Sequence, residues 1–209
     1  MSEVKLNISD QEFKKFLLQS LATLNFLSDQ KESALDQVLR SPHLSRQGVW
    51  CEFGVADGKS LRKLAAERGE ASLWGFDVFT GLPEDWTPKF PKGRFKQDSI
   101  PLVEGAHIVS GLFSETLPYW SPRAPITLCH IDCDLYDSAF TALRKVLSRV
   151  QSGSILVFDE VWNVTDFEKN EMLAIYQTFE LDGALAIHQL KWDWLYADRD
   201  SQSVAILIR

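Results

Sequence analysis

The sequence predicts an α/β fold in which a doubly wound, mostly parallel sheet is covered by helices on both faces. From Gly48 onward, short apolar strands alternate with helices, an order that is typical of parallel sheets. Residues 154–159 are apolar on both faces, as expected of a strand in the middle of such a sheet. The last two predicted strands have no helix between them, so we expect an antiparallel pair at one edge.

Seven strands and three longer helices are expected in the main part of the chain. The predicted strands cover residues 49–53, 72–77, 107–109, 126–132, 154–159, about 184–190 and about 204–208. The predicted helices cover about 60–68, 137–150 and 166–179.

The first part of the chain, residues 1–45, is predicted to be a helical extension in front of the main domain at 46–209. Ser9 opens a capping box, and apolar residues then follow at helical spacing. Ser28 or Asp29 is expected to begin a second, short helix. The apolar side of these helices most simply covers the core. Covering a substrate, or forming a homo-oligomer through this side, are the alternatives.

Length, charge and cysteine content limit the class of protein. A chain of 209 residues with 45% hydrophobic residues is expected to form one domain with a full core. The net charge of −7 disfavours a nucleic-acid partner, because an acidic surface repels phosphates. The three cysteines lie in apolar, strand-like stretches, as reduced thiols of a cytoplasmic protein do. No stretch approaches the roughly 18 uncharged apolar residues of a membrane span, and the start lacks the pattern of a signal peptide.

A turn of small residues follows the first predicted strand, from Gly54 to Gly58. Its spacing is not that of a dinucleotide site, and the neighbouring Glu52 would repel a pyrophosphate. A carboxylate at that point suits a cationic ligand, and Asp77 ends the next strand, where it can accept ribose hydroxyls. Together these residues predict a pocket for S-adenosylmethionine. The alternative is a plain strand-to-helix turn beside a solvated acid.

Carboxylates also follow two further strands: Asp132 and Asp134 after the fourth, and Asp159 and Glu160 after the fifth. The carboxyl ends of parallel strands share one edge of the sheet, so these side chains are expected to converge. No Lys or Arg is near them in sequence, and a hard divalent cation, Mg²⁺ or Mn²⁺, would relieve the repulsion. Such a cation lowers the pKa of an acceptor hydroxyl. The alternative is that these acids cap helices or are solvated.

A zinc site is the less favoured interpretation of the same region. Cys129, His130 and Cys133 have ligand-type side chains, but no second C-x-x-C or His pair completes a zinc site. His130 lies inside a strand and is expected to be a core residue. His188, on the predicted strand at 184–190, is a weaker candidate for a general base.

The long loop after Asp77 carries three aromatic residues, Trp86, Phe90 and Phe95. Such residues would form a lid over a cofactor or an apolar wall for a ring-shaped acceptor. Packing within the loop is the alternative.

Four segments and one acidic pair carry a family resemblance. They are residues 52–60 (EFGVADGKS), 75–84 (GFDVFTGLPE), 111–118 (GLFSETLP), 131–138 (IDCDLYDS) and the pair 159–160 (DE). On these segments the chain resembles class I S-adenosylmethionine-dependent methyltransferases, and among them the macrocin O-methyltransferase family. It departs from the family at Cys133, where glycine is usual, and at Glu160, where aspartate is frequent.

The resemblance implies six parallel strands, one antiparallel strand, and Mg²⁺-assisted methyl transfer to a hydroxyl of a small molecule such as a sugar or polyol. The implied cofactor contacts are Glu52, Gly54, Ala56, Asp57, Gly58, Ser60, Asp77, Phe79, Gly111, Phe113 and Asp132. The implied catalytic residues are Asp132 and Asp134, and the metal ligands come from Asp132, Asp134, Asp159 and Glu160. A cofactor-binding module without methyl transfer, a metal-binding hydroxylase-like relative and a nicotinamide-dependent oxidoreductase are the alternatives.

Overall fold

A computed structural model describes residues 11–28, 31–162, 164–198 and 202–209. One seven-stranded sheet forms its centre, in the order β3-β2-β1-β4-β5-β7-β6. The strands are β1 Val49–Phe53, β2 Ser72–Asp77, β3 Ala106–Ser110, β4 Ile126–Ile131, β5 Val150–Phe158, β6 Trp192–Ala197 and β7 Val204–Ile208. Strand β7 runs antiparallel to both of its neighbours, and the other pairs are parallel. The predicted doubly wound α/β fold is therefore confirmed.

Six α-helices accompany this sheet in the described residues. They are α1 Gln11–Leu27, α2 Ala34–Leu39, α3 Lys59–Glu67, α4 Phe113–Thr116, α5 Tyr136–Leu147 and α6 Glu171–Tyr176. Single turns of 3₁₀ helix lie at Leu117–Tyr119, Phe167–Lys169 and Ala186–His188, and a π turn, Gln177–Leu181, follows α6.

The core has two layers because alternate residues of each strand point to opposite faces of the sheet. In β5, Leu156 and Phe158 belong to the layer that includes α5 and α6. Ile155 and Val157 belong to the layer that includes α2 and α3. Both faces of the central strands are therefore buried, which explains why residues 155–158 of β5 are apolar without alternation.

Helix α1 is packed against the far edge of the sheet. Phe13 is 1% exposed, and its ring centroid lies 4.8 Å from that of Tyr176. The Phe16 ring lies 6.3 Å from Trp192 of β6, and Leu24 belongs to the same core layer as α5. The helix thus contributes side chains to the core of the main domain.

The start of α2 differs from the prediction. Its N-cap is Ser33, whose Oγ accepts a hydrogen bond of 3.2 Å from the backbone N–H of Asp36. Ser28 follows the end of α1 and does not begin α2. The predicted caps Ser9 and Asp29 lie outside the described residues.

The predicted strand at 184–190 is wrong. Gly183 and Gln189 have positive φ, +59° and +57°, and between them the chain forms a 3₁₀ turn that leaves His188 exposed. The sixth strand comes later, at β6, where Trp192 pairs with Ile208 of β7. A left-handed residue that carries a Cβ, such as Gln189, interrupts extended backbone, so the strand begins only after it.

The predicted helix at 166–179 is interrupted. Asn170, with φ −113° and ψ −122°, separates a 3₁₀ turn from α6. Helix α6 then widens into the π turn.

Candidate active site

The turn after β1 joins the ends of two neighbouring strands. Gly54 has φ +92°, and a Cβ there would lie 1.7 Å from the carbonyl oxygen of Asp132. The backbone N–H of Gly54 donates a hydrogen bond to the carbonyl oxygen of Phe76 (2.9 Å). The backbone N–H of Asp132, at the end of β4, donates one to the carbonyl oxygen of Phe53 (2.9 Å). Only glycine allows this backbone approach. The glycine therefore places the turn directly beside the acidic end of β4.

Asp77, at the end of β2, fixes the conformation of this turn. Its Oδ2 accepts hydrogen bonds from the backbone N–H groups of Val55 (2.9 Å) and Ala56 (2.8 Å). Its Oδ1 accepts one from Phe79 (2.7 Å). Ala56 and Phe79 both have positive φ, so the carboxylate stabilises two strained residues. This structural role was not predicted from the sequence.

These two strand ends open into a cavity of about 280 Å³. Its lining residues are Gly54, Ala56, Asp77, Val78, Gly81, Leu82, Pro83, Phe95, Gly111, Leu112, Phe113, Asp132, Cys133, Asp134, Ser138 and Glu160. Six of the predicted cofactor contacts are in this wall: Gly54, Ala56, Asp77, Gly111, Phe113 and Asp132. The cavity thus lies at the carboxyl edge of the sheet, where ligands of open α/β folds bind.

The other predicted cofactor contacts lie outside the cavity wall. Asp57 is exposed, and its side chain accepts a hydrogen bond from the N–H of Lys59. Gly58 begins α3 with φ +79°, Ser60 is half-buried in that helix, and Phe79 belongs to the core. Their contacts with a cofactor stay predictions.

Glu52 also lies behind the wall, completely buried. Its Oε1 is 2.8 Å from Nδ1 of His130, the neighbouring residue on β4, and its Oε2 has no hydrogen-bond partner. Burial by itself lowers the pKa of His130, but the hydrogen bond and charge of Glu52 overcome this effect and raise the pKa to about 9. The pair is therefore a buried ion pair within the sheet, and a contact of Glu52 with a sulfonium ligand stays a prediction.

Three carboxylates of the cavity wall converge. Asp132, Asp134 and Glu160 each offer an oxygen, and these atoms all lie within 4.8 Å of one another. The sequence predicted these three residues and Asp159 as ligands. Asp159 is not among the three residues of this group and does not line the cavity. Its charge acts on Asp132, and its role as a metal ligand stays a prediction.

The repulsion within this group changes its protonation. Burial and then the charge of Asp132 raise the pKa of Asp134 to about 7. Burial and then the charge of Asp134 raise the pKa of Glu160 to about 8. Burial and then the charge of Asp159 raise the pKa of Asp132 well above its usual range. A hydrogen bond joins Asp134 and Glu160, and it stabilises the charged form of Asp134 and the protonated form of Glu160.

The chemistry of this donor set fits a hard divalent cation. The three ligand side chains offer oxygen only, as Mg²⁺ and Mn²⁺ prefer. The Oε2 atom of Glu160 is buried without a hydrogen-bond partner, although a buried carboxylate oxygen normally has one. In the part of the chain that the structure describes, no cysteine or histidine belongs to a group that could hold a metal. The zinc interpretation therefore has no support.

The aromatic loop covers one side of the cavity. The rings of Trp86 and Phe90 stack at 5.1 Å, and those of Phe90 and Phe95 at 5.6 Å. Phe95 lines the cavity, and Trp86 and Phe90 stand behind it. Gly81 lets the loop close on itself, because a Cβ there would lie 2.3 Å from the carbonyl oxygen of Gly93. Of the three aromatic residues, Phe95 is placed to contact a ligand.

Two residues near the site were missed by the sequence analysis. Ser138, in the first turn of α5, lines the cavity. Glu171 is completely buried beside the acidic group. The burial of Glu171 could have been suspected from helical spacing. Glu171 stands three, four and seven residues before Ala174, Ile175 and Thr178, all of which are buried.

The fold and this cavity define a class I S-adenosylmethionine-dependent methyltransferase. Residues 51–161 match the model of a family described as a methyltransferase domain, and the chain belongs to this family. The narrower resemblance to macrocin O-methyltransferases stays a prediction.

Similar solved structures share the fold. The calicheamicin methyltransferase CalS11 is 24% identical with a TM-score of 0.60, over 92% of this chain and 80% of that one. The O-methyltransferase NovP is 17% identical with a TM-score of 0.60, and the match covers 83% of this chain and 77% of NovP. An O-methyltransferase from Bacillus cereus, solved with SAH, is 15% identical with a TM-score of 0.51. The match covers 97% of this chain and 93% of that one.

A comparison with curated proteins gave no match. Among the described residues, no helix has the length and apolar character needed to span a membrane.

Proposed function

We propose that this protein is an S-adenosylmethionine-dependent O-methyltransferase that uses Mg²⁺ or Mn²⁺ to activate a hydroxyl of a small molecule, such as a sugar or polyol. One observation carries the proposal. A single cavity holds both the turn fixed by Asp77 and the carboxylates Asp132, Asp134 and Glu160. A methyl donor and a cation would therefore lie beside each other. CalS11 is also described as a TDP-rhamnose 3'-O-methyltransferase, which supports a sugar hydroxyl as acceptor.

Two neighbouring groups of residues in the cavity wall divide the work. Gly54, Ala56 and Asp77 would hold the adenosine and amino-acid parts of the cofactor. A carboxylate has about four lone-pair positions, so three amide hydrogen bonds leave Asp77 one acceptor for a ribose hydroxyl. When bound, S-adenosylmethionine supplies a methyl group from its sulfonium and leaves as the thioether.

Asp132, Asp134 and Glu160 would hold the cation, which would supply positive charge that lowers the pKa of the acceptor hydroxyl. Asp132 and Asp134 are the proposed catalytic residues, because both line the cavity beside the proposed cation. Since these carboxylates and Asp77 are acidic, a cationic donor and a cation are each favoured in this cavity.

The apolar part of the wall excludes water from the reacting groups. Leu82, Pro83, Phe95, Leu112 and Phe113 line the cavity. Flat apolar side chains of this kind bind the faces of a purine or a sugar ring.

Thermal-shift measurements with S-adenosylmethionine and NAD, each with Mg²⁺ and with EDTA, test the binding part of the proposal. S-adenosylmethionine is expected to raise the melting temperature, and NAD is not. A stronger effect of NAD would instead favour the nicotinamide-dependent oxidoreductase.

An assay of methylated products with a panel of sugars and nucleotide sugars tests the chemistry. Product is expected with Mg²⁺ and its loss is expected with EDTA. Equal yield in EDTA would contradict the role of the cation. Binding of S-adenosylmethionine without any product would favour the cofactor-binding module.

A small-molecule acceptor and a cytoplasmic location belong to the same proposal. The net charge of −7 supports a partner other than nucleic acid. Cys51, Cys129 and Cys133 are all free and buried, as the reduced thiols of cytoplasmic proteins are. Self-association through the N-terminal helices stays a prediction.

A further inference from the structure

The aromatic loop contains a basic segment, residues 89–96 (KFPKGRFK). Lys89, Lys92, Arg94 and Lys96 are all exposed, and no acid lies between them. The whole chain has a net charge of −7, so four cations within eight residues are a local exception. Exposed cations are common on proteins, and their surroundings decide whether they can bind a ligand.

Acids of the protein do not neutralise this segment. The ion pairs in the part of the chain that the structure describes all use other cations. Asp85 of the same loop accepts a hydrogen bond of 2.7 Å from the backbone N–H of Lys92, and it forms no ion pair with the ammonium group. The side-chain charges of the basic segment are therefore available to an anion from solution.

Arg94 lies at the mouth of the cavity. Its Cζ atom is 5.4 Å from the ring centroid of Phe95, which lines the cavity and is 41% exposed. A side chain that both lines a cavity and is exposed to solvent marks the opening. The carbonyl oxygen of Arg94 also accepts a hydrogen bond of 2.9 Å from the N–H of Leu82, another residue of the wall. These two contacts hold Arg94 beside the opening.

The cavity and the basic segment have opposite charge. The charged side chains of the cavity wall are all acidic: Asp77, Asp132, Asp134 and Glu160. A phosphate is therefore repelled inside the cavity and attracted at its mouth. A guanidinium group suits phosphate in particular, because it donates two parallel hydrogen bonds to the phosphate oxygens. A ligand with a neutral, hydroxylated part and a phosphorylated part would satisfy both regions.

We propose that Arg94 and the lysines of the basic segment bind the phosphate groups of the acceptor, which is a nucleoside-diphosphate sugar whose sugar enters the cavity. The inference rests on the proposed function, since it names the class of acceptor that the same cavity takes. A small molecule suits this surface better than a nucleic acid does. Four cations on one loop can neutralise a diphosphate, whereas a nucleic acid needs a basic surface along many phosphates.

Calorimetric titration of the full chain with UDP-glucose tests this inference. EDTA is present because divalent cations would also attract phosphates, and S-adenosylhomocysteine is present so that the uridine does not occupy the cofactor site. Arg94→Gln is expected to weaken UDP-glucose binding at least about tenfold, as the loss of a charge-assisted hydrogen bond does. Equal affinity in Arg94→Gln and the wild type, or no binding by the wild type, would overturn the inference.

The matched control is Arg123→Gln. Arg123 is also exposed, but it precedes β4 and so lies at the opposite edge of the sheet from the cavity. This variant is expected to bind UDP-glucose like the wild type. If Arg94→Gln does not fold, the double variant Lys92→Gln/Lys96→Gln replaces it, with an expected loss of about fivefold. Equal losses in Arg94→Gln and Arg123→Gln would show a general effect of net charge and would contradict a local site.

Further ligands separate the possible failures. Uridine, which lacks phosphate, is expected to bind at least about tenfold more weakly than UDP, and equal binding would contradict the role of the phosphates. Tighter binding of a single-stranded RNA oligonucleotide than of UDP-glucose would replace the small molecule with a nucleic acid. If no sugar or nucleotide sugar is methylated, the proposed function fails, whereas a loss of UDP-glucose affinity in Arg94→Gln would still support the phosphate site.

Discussion

At the residue scale, the turn after β1 depends on contacts that permit almost no substitution at Gly54. The Cβ of any other residue at Gly54 would overlap the carbonyl of Asp132, whereas Gly153 has a similar positive φ of +89° and open space around it. Comparing alanine substitutions at the two glycines therefore separates the free-energy cost of positive φ from the cost of a steric clash.

We predict that Gly54→Ala lowers the free energy of unfolding by about 3–5 kcal/mol, because the strands β1 and β4 must move apart. Gly153→Ala is expected to cost only about 1–2 kcal/mol, the penalty of positive φ alone. Urea denaturation of both variants measures the difference. Equal losses would show that the approach of Gly54 to Asp132 is not a tight contact.

Asp77 has two roles that one substitution can reveal. In Asp77→Asn, one oxygen becomes an NH₂ group that cannot accept hydrogen bonds from Val55, Ala56 or Phe79. We predict that affinity for S-adenosylmethionine falls at least about tenfold, since the turn loosens and a ribose acceptor is lost. Calorimetry with S-adenosylmethionine measures this affinity.

The control for Asp77 is Asp85→Asn. Asp85 also accepts a backbone hydrogen bond, from Lys92 at 2.7 Å, but it lies outside the cavity wall. Its variant is expected to bind S-adenosylmethionine like the wild type. Unchanged binding in Asp77→Asn would count against the assignment of Asp77 to the cofactor site.

At the element scale, α1 determines whether the N-terminal segment is an appendage or part of the core. Phe13 is 1% exposed and Phe26, on the same helix, is 86% exposed. The helix packs on Tyr176 and β6 through its buried side. An appendage would unfold without effect on the sheet.

We predict that Phe13→Ala lowers the free energy of unfolding of the whole chain by about 3–5 kcal/mol, as deletion of a buried phenyl ring does. Phe26→Ala is expected to change it by less than about 0.5 kcal/mol. Thermal and urea unfolding, monitored by near-UV circular dichroism, compare the two. A separate early transition in Phe13→Ala would show that α1 folds independently of the sheet.

At the scale of the whole molecule, the acidic edge makes stability depend on pH. Asp134 and Glu160 have folded-state pKa values of about 7 and about 8, well above those of ordinary carboxyl groups. Between the ordinary pKa of a carboxyl group and these raised values, the folded state therefore binds more protons than the unfolded state. The free energy of unfolding falls as pH rises through this range. The stability from His130, whose pKa is raised to about 9 from 6.5, is likewise complete below pH 6.5 and is lost as pH rises through 9.

We predict that the free energy of unfolding in EDTA decreases from about pH 5 to about pH 8. Mg²⁺ is expected to stabilise the protein more at pH 8 than at pH 5, because it binds the deprotonated carboxylates. Urea denaturation across this range, with EDTA and with Mg²⁺, measures both effects. A rise in stability with pH in EDTA would contradict the convergence of these carboxylates.

Local sequence patterns were sufficient for most elements of the fold. The strands near Val49, Ser72 and Ile126 were predicted correctly because each is a short apolar run bounded by turn residues. The segment 184–190 was predicted wrongly, because the left-handed conformation of Gln189 is set by its surroundings and not by its residue type.

The sequence by itself placed acids directly after two parallel strands. Asp132, Asp134 and Glu160 were therefore expected at the same edge of the sheet. Only the tertiary structure decided which acids meet, since Asp159 follows the same strand as Glu160 but lies outside the group. It also buried Glu171, from a helix that follows in the chain, where the charges of these acids raise its pKa. The physical reason is that chain order fixes the edge at which a side chain lies, whereas packing of helices and strands fixes its direction and its neighbours.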